Sequence, residues 1–205
     1  MKVDKLGISK KVGKYIKNAL LDMIEHGVEV KLVKNYVHAG VFESFDGLYF
    51  VCRITDDIED WFPIFIHEYC HFQQWKEGKY SLGKWEEYDR NFTKWLGGKI
   101  KLSREKGRFY AAKMRAAEID CEKRTVREIK KHKFDIDIDE YIKHANAYIY
   151  SYAVLAEKGR WYRESPGDVP EIFDMMPNKF LTRYDKLPKG YRKLIEGLYK
   201  KKKKS

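Results

Sequence analysis

Apolar residues recur every three or four positions in several long stretches of this chain, a spacing that predicts helices with one buried face. The stretches are residues 12–26, 108–131 and 140–158, with a short last helix over residues 191–198. Two shorter stretches, residues 28–33 and 48–53, are rich in Val, Leu, Tyr and Phe and predict strands. The predicted fold class is therefore α+β and mainly helical, with a small sheet early in the chain.

Residues 61–75 are apolar nearly all round, which is typical of a buried helix. Pro63 suits the first turn of such a helix. His67, Glu68 and His71 interrupt the apolar run in the order H-E-x-x-H. Buried polar side chains need partners, and a metal site would satisfy all three residues at once.

The spacing of these three residues predicts a catalytic metal site. His67 and His71 stand four positions apart, so on a helix their imidazoles lie on one face and can reach one ion. Glu68 follows the first histidine, so its carboxylate can reach a water held by that ion. A catalytic zinc site usually has three protein ligands and an open position for water. The motif thus supplies two ligands and a general base, and one ligand is still needed.

The helix predicted over residues 108–131 offers the third ligand. At about 100° per residue, Glu118 falls within the apolar stripe of this helix and Glu122 falls at its edge. A carboxylate within an apolar stripe is costly unless it is paired or bound to a metal. We expect Glu118 to be the ligand, with Glu122 as the alternative. A buried ion pair of Glu118 with Arg115 or Lys123 is the other way to satisfy this carboxylate.

Other side chains are candidates for secondary roles at this site. Cys70 lies near the histidine face of its helix, and Cys121 lies near the predicted third ligand, although both also suit small packing positions. Attack of a metal-held water on a carbonyl group creates an oxyanion, which a hydrogen-bond donor stabilises. Tyr148, Tyr152 and His144 are the candidates for that donor.

The length of 205 residues suits one domain, which we predict over residues 1–199. The chain is 43% hydrophobic, enough for a substantial core. Its three cysteines are odd in number and scattered, which favours reduced thiols and a cytoplasmic location. No secretory leader or long apolar run is evident, so we expect no membrane partner.

The formal net charge is +11, and residues 200–204 contribute five of these charges, which leaves +6 for the rest. A terminal lysine run is typically a disordered tail, predicted here over residues 200–205. Such a tail is a candidate for non-specific contact with nucleic acid, because neutralised phosphates release their counterions. The oligomeric state is left open by the sequence.

Two motifs of the chain resemble those of the zincin metallopeptidases. They are Phe-Ile-His-Glu-Tyr-Cys-His at residues 65–71 and Ala-Glu-Ile-Asp-Cys-Glu at residues 117–122. The resemblance is to the type in which a downstream helix supplies a glutamate ligand. The layout is also similar to small zincin-like proteins of tailed bacteriophages, which carry stretches like residues 146–148 and 161–162. The third histidine of the metzincins and the Asn-Glu-x-x-Ser-Asp motif of thermolysin-like enzymes are both missing.

The resemblance implies a zincin-like fold and a zinc-dependent peptidase acting on a peptide or protein substrate. It implies His67 and His71 as zinc ligands and Glu68 as general base. It also implies Glu118 as the remaining ligand, and a host-cytoplasmic location if the chain is phage-encoded. Three alternatives stay open: a purely structural metal site, a DNA-associated protease, and a non-hydrolytic zinc-binding protein with an interaction role.

In zincins, a strand beside the active-site helix binds extended substrate by backbone pairing. Residues 48–53 are the candidate for this edge strand. The alternative for the same residues is an ordinary interior strand.

Overall fold

The computed structural model describes residues 8–79 and 84–199. These residues form α1 (Lys10–Glu25), β1 (Glu29–Val33), β2 (Gly40–Glu43), β3 (Tyr49–Arg53), α2 (Ile58–Lys76), α3 (Lys84–Leu96), α4 (Arg104–His132), α5 (Ile138–Lys158), α6 (Pro170–Asp174) and α7 (Tyr191–Gly197), with a 3₁₀ helix over Pro166–Asp168. The predicted α+β, mainly helical class is confirmed. The predicted tail, residues 200–205, lies outside the described residues.

The chain divides into two compact units. The first unit comprises Met1–Glu86 and Arg124–Ile136, and the second comprises Glu87–Lys123 and Asp137–Ser205. Helix α4 is continuous through the boundary, so its C-terminal end belongs to the first unit. None of the described helices is long and apolar enough to cross a lipid bilayer.

The sheet of the first unit has the strand order β1-β3-β2. β1 pairs with β3 in parallel, and β2 pairs with β3 in antiparallel register, with Phe42 opposite Phe50. β3 is therefore the central strand, so the edge-strand hypothesis for residues 48–53 is wrong and the alternative of an interior strand is confirmed. β2 was not predicted, because four residues that include Gly40 carry too short an alternation to indicate a strand.

Helix α2 begins earlier than Pro63 indicated. Asp57 caps the helix by accepting a hydrogen bond from the Glu59 N–H at 2.9 Å. Acidic residues in the first turn, Glu59 and Asp60, further favour this start through the helix dipole. Pro63 lies inside the helix, where its missing N–H leaves only the Glu59 carbonyl without its helical partner. The expectation that Pro63 occupies the first turn is therefore wrong.

Aromatic side chains form much of the core of the first unit. The ring of Tyr15 on α1 lies 6.0 Å from that of Phe62 on α2 and 5.1 Å from that of Phe134 after α4. Phe50 of β3 packs against Phe65 of α2, and both side chains are fully buried. Burial of these rings against the sheet fixes α2, and with it the H-E-x-x-H residues, beside the strands.

Helix α5 is the centre of the second unit. One of its faces packs in a cluster of Phe92, Leu96, Tyr110, Ala111, Tyr152, Leu155 and Ala156. Another face packs in a cluster of Ala147, Ile149, Tyr150, Val154, Ile172, Met176, Tyr184, Tyr191, Ile195 and Tyr199. The buried Asn146 amide donates to the carbonyls of Pro177 and Lys179, which ties the irregular segment after α6 to α5.

Candidate metal centre

The two motif histidines face each other on α2, and both are half-buried. The Nε2 atoms of His67 and His71 lie 3.1 Å apart. Two nitrogen ligands about 2.05 Å from one tetrahedral zinc ion would be about 3.3 Å apart. The same distance also suits a hydrogen bond between the two rings. The pair therefore has the separation that two ligands of one ion require.

Gln74 orients the second histidine. Its Oε1 lies 2.9 Å from Nδ1 of His71, and its side chain is 2% exposed. An amide oxygen only accepts hydrogen bonds, so Nδ1 carries the ring proton and Nε2 keeps its lone pair. Gln74 was not predicted from the sequence. A glutamine one turn after a ligand candidate, within an apolar helix, was the signal that could have revealed it.

The carboxylate of Glu68 lies against the edge of the sheet and is 9% exposed. Its Oε2 accepts a hydrogen bond of 2.8 Å from the backbone N–H of Phe42 in β2. The Arg53 N–H donates to the Ala39 carbonyl, and from there every second residue of β2 turns its N–H toward β3. Phe42 is one of the residues in between, so its N–H points away from β3. The outer edge of β2 thus holds the carboxylate of α2 in place.

Gly40 allows this close approach of β2 and α2. A Cβ at this position would lie 2.7 Å from Cγ of Glu68 and 2.8 Å from Cγ2 of Ile64. Both distances are shorter than van der Waals contact, so a side chain at Gly40 would displace the carboxylate or the strand. The glycine that weakens the strand pattern in the sequence is thus needed at the site.

Cys52 of β3 lies near the same carboxylate. Burial, and then the charge of Glu68, raises the pKa of the Cys52 thiol to about 12. A thiol with so high a pKa stays protonated at neutral pH, and the protonated form is a poor nucleophile and metal ligand. Cys52 therefore serves as a packing residue.

Glu118 lies in the second unit on α4 and is 8% exposed. Its Oε1 accepts a hydrogen bond of 3.2 Å from the hydroxyl of Tyr152 on α5. The Tyr152 hydroxyl also lies 3.0 Å from that of Tyr148. Burial, followed by the charge of Glu118, raises the pKa of Tyr152 well above its ordinary value. Tyr152 therefore remains a protonated donor that fixes one oxygen of Glu118.

Glu122 has a similar environment one turn further along α4. It is 5% exposed, and its Oε2 accepts a hydrogen bond from the hydroxyl of Tyr141. The sequence pattern placed Glu122 at the edge of the apolar stripe, whereas the structure buries both carboxylates. Both therefore remain candidates for the third ligand.

The ion-pair alternative for Glu118 finds no support in the second unit. The guanidinium of Arg115 donates to the backbone carbonyl of Tyr184 at 3.1 Å. Among the residues that the structure describes, neither Arg115 nor Lys123 forms an ion pair with Glu118. The burial of this carboxylate thus has another cause.

The three candidate oxyanion donors differ in environment. Tyr152 is buried and donates to Glu118, which makes it a positioning group for that carboxylate. Tyr148 is half-buried and its hydroxyl pairs with that of Tyr152. His144 is exposed, and its ring lies 4.8 Å from that of Phe173. The structure therefore assigns Tyr152 to a different role from the one considered for it.

In the first unit His67 and His71 offer imidazole nitrogens to a metal, and in the second unit Glu118 and Glu122 offer carboxylate oxygens and Cys121 a thiol. Imidazole nitrogen and carboxylate oxygen are the donor types of catalytic zinc sites. The chemistry of the set is compatible with a metal site, whereas it does not identify the metal. Comparisons of the chain with protein-family models, with curated proteins and with solved structures found no match. Membership of the zincins stays a prediction.

Replacing Tyr152 with Phe is expected to weaken metal binding by about 10- to 100-fold, because the ring is kept while Glu118 loses the hydroxyl that orients it. Zinc affinity is measured by competition with a chromophoric chelator. The matched control is Tyr150→Phe, which removes a hydroxyl from the same helix in the cluster around Tyr184 and Tyr191. Equal affinities of both variants and the wild type would contradict the positioning role.

Proposed function

We propose that this protein is a zinc-dependent metallopeptidase in which His67, His71 and Glu118 hold one zinc ion and Glu68 is the general base. The observation that carries the proposal is the pair of Nε2 atoms 3.1 Å apart, with the Glu68 carboxylate on the same helix. Zinc in such a donor set supplies Lewis acidity toward a carbonyl oxygen and lowers the pKa of a bound water to about 7.

Helix α4 is the proposed source of the third ligand. In the first unit, the guanidinium of Arg124 donates to both carboxylate oxygens of Glu77, at the end of α2, at 2.7 and 2.6 Å. Glu118 and Glu122 are both buried on this helix. The resemblance of residues 117–122 to the zincins whose downstream helix supplies a glutamate ligand supports one of these carboxylates as the third ligand.

Glu68 carries the proton during hydrolysis. Its Oε2 accepts the Phe42 N–H, which orients the carboxylate that takes the proton from the attacking water. Glu68 then delivers that proton to the nitrogen of the leaving amine. Gln74 keeps the His71 ring from rotating, so the ligand nitrogen keeps its direction throughout.

The outer edge of β2 is the proposed site for the peptide. In the described sheet β2 is an edge strand, and its outward backbone groups alternate with those bonded to β3. Because the Phe42 N–H of this edge is bonded to Glu68, the remaining outward backbone groups of β2 are the ones proposed to pair with an extended substrate, beside Glu68. β2 therefore replaces residues 48–53 in the role expected from the sequence.

The test of this proposal is the metal content of variants. We expect purified wild-type protein to retain about one zinc per chain after dialysis, as measured by mass spectrometry of the metal. Glu118→Ala and the isosteric Glu118→Gln should both lose this zinc, because each removes the negative ligand. Glu122→Ala should keep it. Circular dichroism of each variant separates loss of the ligand from loss of the fold.

Other outcomes would contradict parts of the proposal. Full zinc in Glu118→Ala with loss in Glu122→Ala would move the ligand to Glu122. Full zinc in both variants would exclude an α4 carboxylate. A closed structural site, with the buried Cys121 thiol on α4 as a ligand, is the competing function. Loss of zinc in Cys121→Ser, together with no hydrolysis of a peptide library by the wild type, would favour that function.

A further inference from the structure

Seven exposed lysines of the first unit come from two distant segments of the chain. They are Lys10, Lys11, Lys14 and Lys17 of α1 and Lys130, Lys131 and Lys133 at the end of α4. We call this set the lysine surface. Residues 9–17 and 130–133 contain no Asp or Glu, so no acidic residue within either segment offsets its positive charge.

Packing in the first unit joins the two segments. The Nζ of Lys11 donates to the backbone carbonyl of Lys133. Beneath it, the buried ring of Tyr15 lies 5.0 Å from His132 and 5.1 Å from Phe134. The lysine surface is therefore one continuous feature of the fold, made by residues more than a hundred positions apart.

Glu128 is an acidic residue in contact with this surface, and it interacts with Tyr15, Lys131 and His132. Asp135 follows Lys133 by two positions. Among the described residues, no ion pair involves Lys10, Lys14, Lys17, Lys130 or Lys133. The charge of these five lysines is therefore available to an anionic partner.

The arrangement on α1 opposes the stability of the helix. The first turn has no acidic residue, and Lys10 and Lys11 stand there against the positive end of the helix dipole. Lys10, Lys14 and Lys17 are also spaced so that like charges are neighbours on one face. A row that disfavours its own helix is better explained by a partner than by folding.

We infer that the lysine surface binds the phosphate backbone of double-stranded nucleic acid. The row from Lys10 to Lys17 extends about 10.5 Å, which equals about three base-pair steps of 3.4 Å along the axis of a duplex. Lysines contact phosphates as point charges without reading bases, so the binding is independent of sequence. This surface differs from the terminal lysine run, residues 200–204, and does not depend on the metal centre.

A lipid bilayer fits this surface less well. Helices that bind membrane surfaces place Trp, Phe or Leu beside their basic residues, so that apolar groups enter the bilayer. Two exposed large apolar side chains, Leu21 and Ile24, lie further along α1 on the face of Lys14 and Lys17, whereas none lies within the two lysine segments. The lysine segments themselves are polar, which favours the phosphate backbone, and phosphatidylserine vesicles are the competing arm of the test.

The test uses the full-length protein and a random-sequence DNA duplex of about 24 base pairs, with binding measured by fluorescence anisotropy over a salt series. The variant carries Lys10→Gln, Lys14→Gln and Lys17→Gln. The matched control carries Lys99→Gln, Lys101→Gln and Lys106→Gln, three exposed lysines of the second unit, so the net charge changes equally.

We expect the α1 variant to bind about 10- to 100-fold more weakly near 0.1 M salt, with a salt slope smaller by about 2 to 3, since each lost phosphate contact removes about 0.9. The control should change by less than about threefold. The melting temperature of the α1 variant should be equal to or above that of the wild type, because the row opposes the helix dipole. Weaker binding with unchanged folding thus supports the inference.

The remaining outcomes overturn it. Equal weakening in both triple variants would show that binding follows overall charge. An unchanged α1 variant, with binding lost on replacing residues 200–204, would assign the contact to the terminal run. Nucleic acid would be excluded as the partner of this surface if the wild type does not bind the duplex. It would also be excluded if the α1 variant binds only phosphatidylserine vesicles more weakly.

Discussion

Replacing Glu68 with Gln is expected to lower the rate of peptide hydrolysis by about 100- to 10,000-fold while leaving the zinc content unchanged. Gln has the same shape as Glu, and its amide oxygen can still accept the Phe42 N–H that holds Glu68. The amide cannot take a proton from the attacking water, so only the proton transfer is removed. The rate is measured on a peptide library read by mass spectrometry, and zinc on the same samples.

Glu59→Gln is the matched control for this prediction. Glu59 lies on the same helix in its exposed first turn, so the substitution removes an equal charge from α2 without touching the motif. We expect its hydrolysis rate to stay within about twofold of the wild type. If Glu68→Gln cleaves as fast as this control, Glu68 is not the base.

Replacing His67 with Ala is expected to abolish stoichiometric zinc binding and, with it, hydrolysis. The substitution removes one of two nitrogens 3.1 Å apart, and the remaining imidazole and carboxylate form an incomplete donor set for a catalytic site. We expect the zinc affinity to fall by at least about a thousandfold. Losing a hydrogen bond to a ligand lowers metal affinity by about 10- to 100-fold, and losing the ligand itself should lower it further. Affinity is measured by chelator competition.

His38→Ala controls for the general loss of a histidine. His38 is exposed in the segment before β2, and its ring packs on Tyr36. This variant should keep about one zinc per chain. Stoichiometric zinc in His67→Ala would mean that the metal of the wild type is bound elsewhere, and the metallopeptidase proposal would fail.

Much of the helical architecture follows from local periodicity. The helices predicted over residues 12–26, 108–131 and 140–158 correspond to Lys10–Glu25, Arg104–His132 and Ile138–Lys158. Each has apolar residues at helical spacing over at least four turns, so the signal is summed over many residues. The ends were less accurate, because capping by Asp57 and Asp137 depends on single side chains.

The sheet was predicted less well. The sequence indicated two strands, and the structure adds β2, which lies antiparallel to β3 and makes β3 central. Strand order depends on pairing between segments, for which a single sequence carries no local signal. The candidate substrate edge therefore moved from residues 48–53 to Gly40–Glu43.

The sequence by itself determined that His67 and His71 share a helix face with Glu68 beside them, and that Glu118 is buried, because helix geometry relates residues a few positions apart. Only the tertiary structure decided that the Phe42 N–H holds Glu68, that Tyr152 donates to Glu118, and that two lysine segments form one surface. Those contacts join residues 26 to 122 positions apart. Their formation depends on which helices and strands pack together, a choice made by the burial of the whole core.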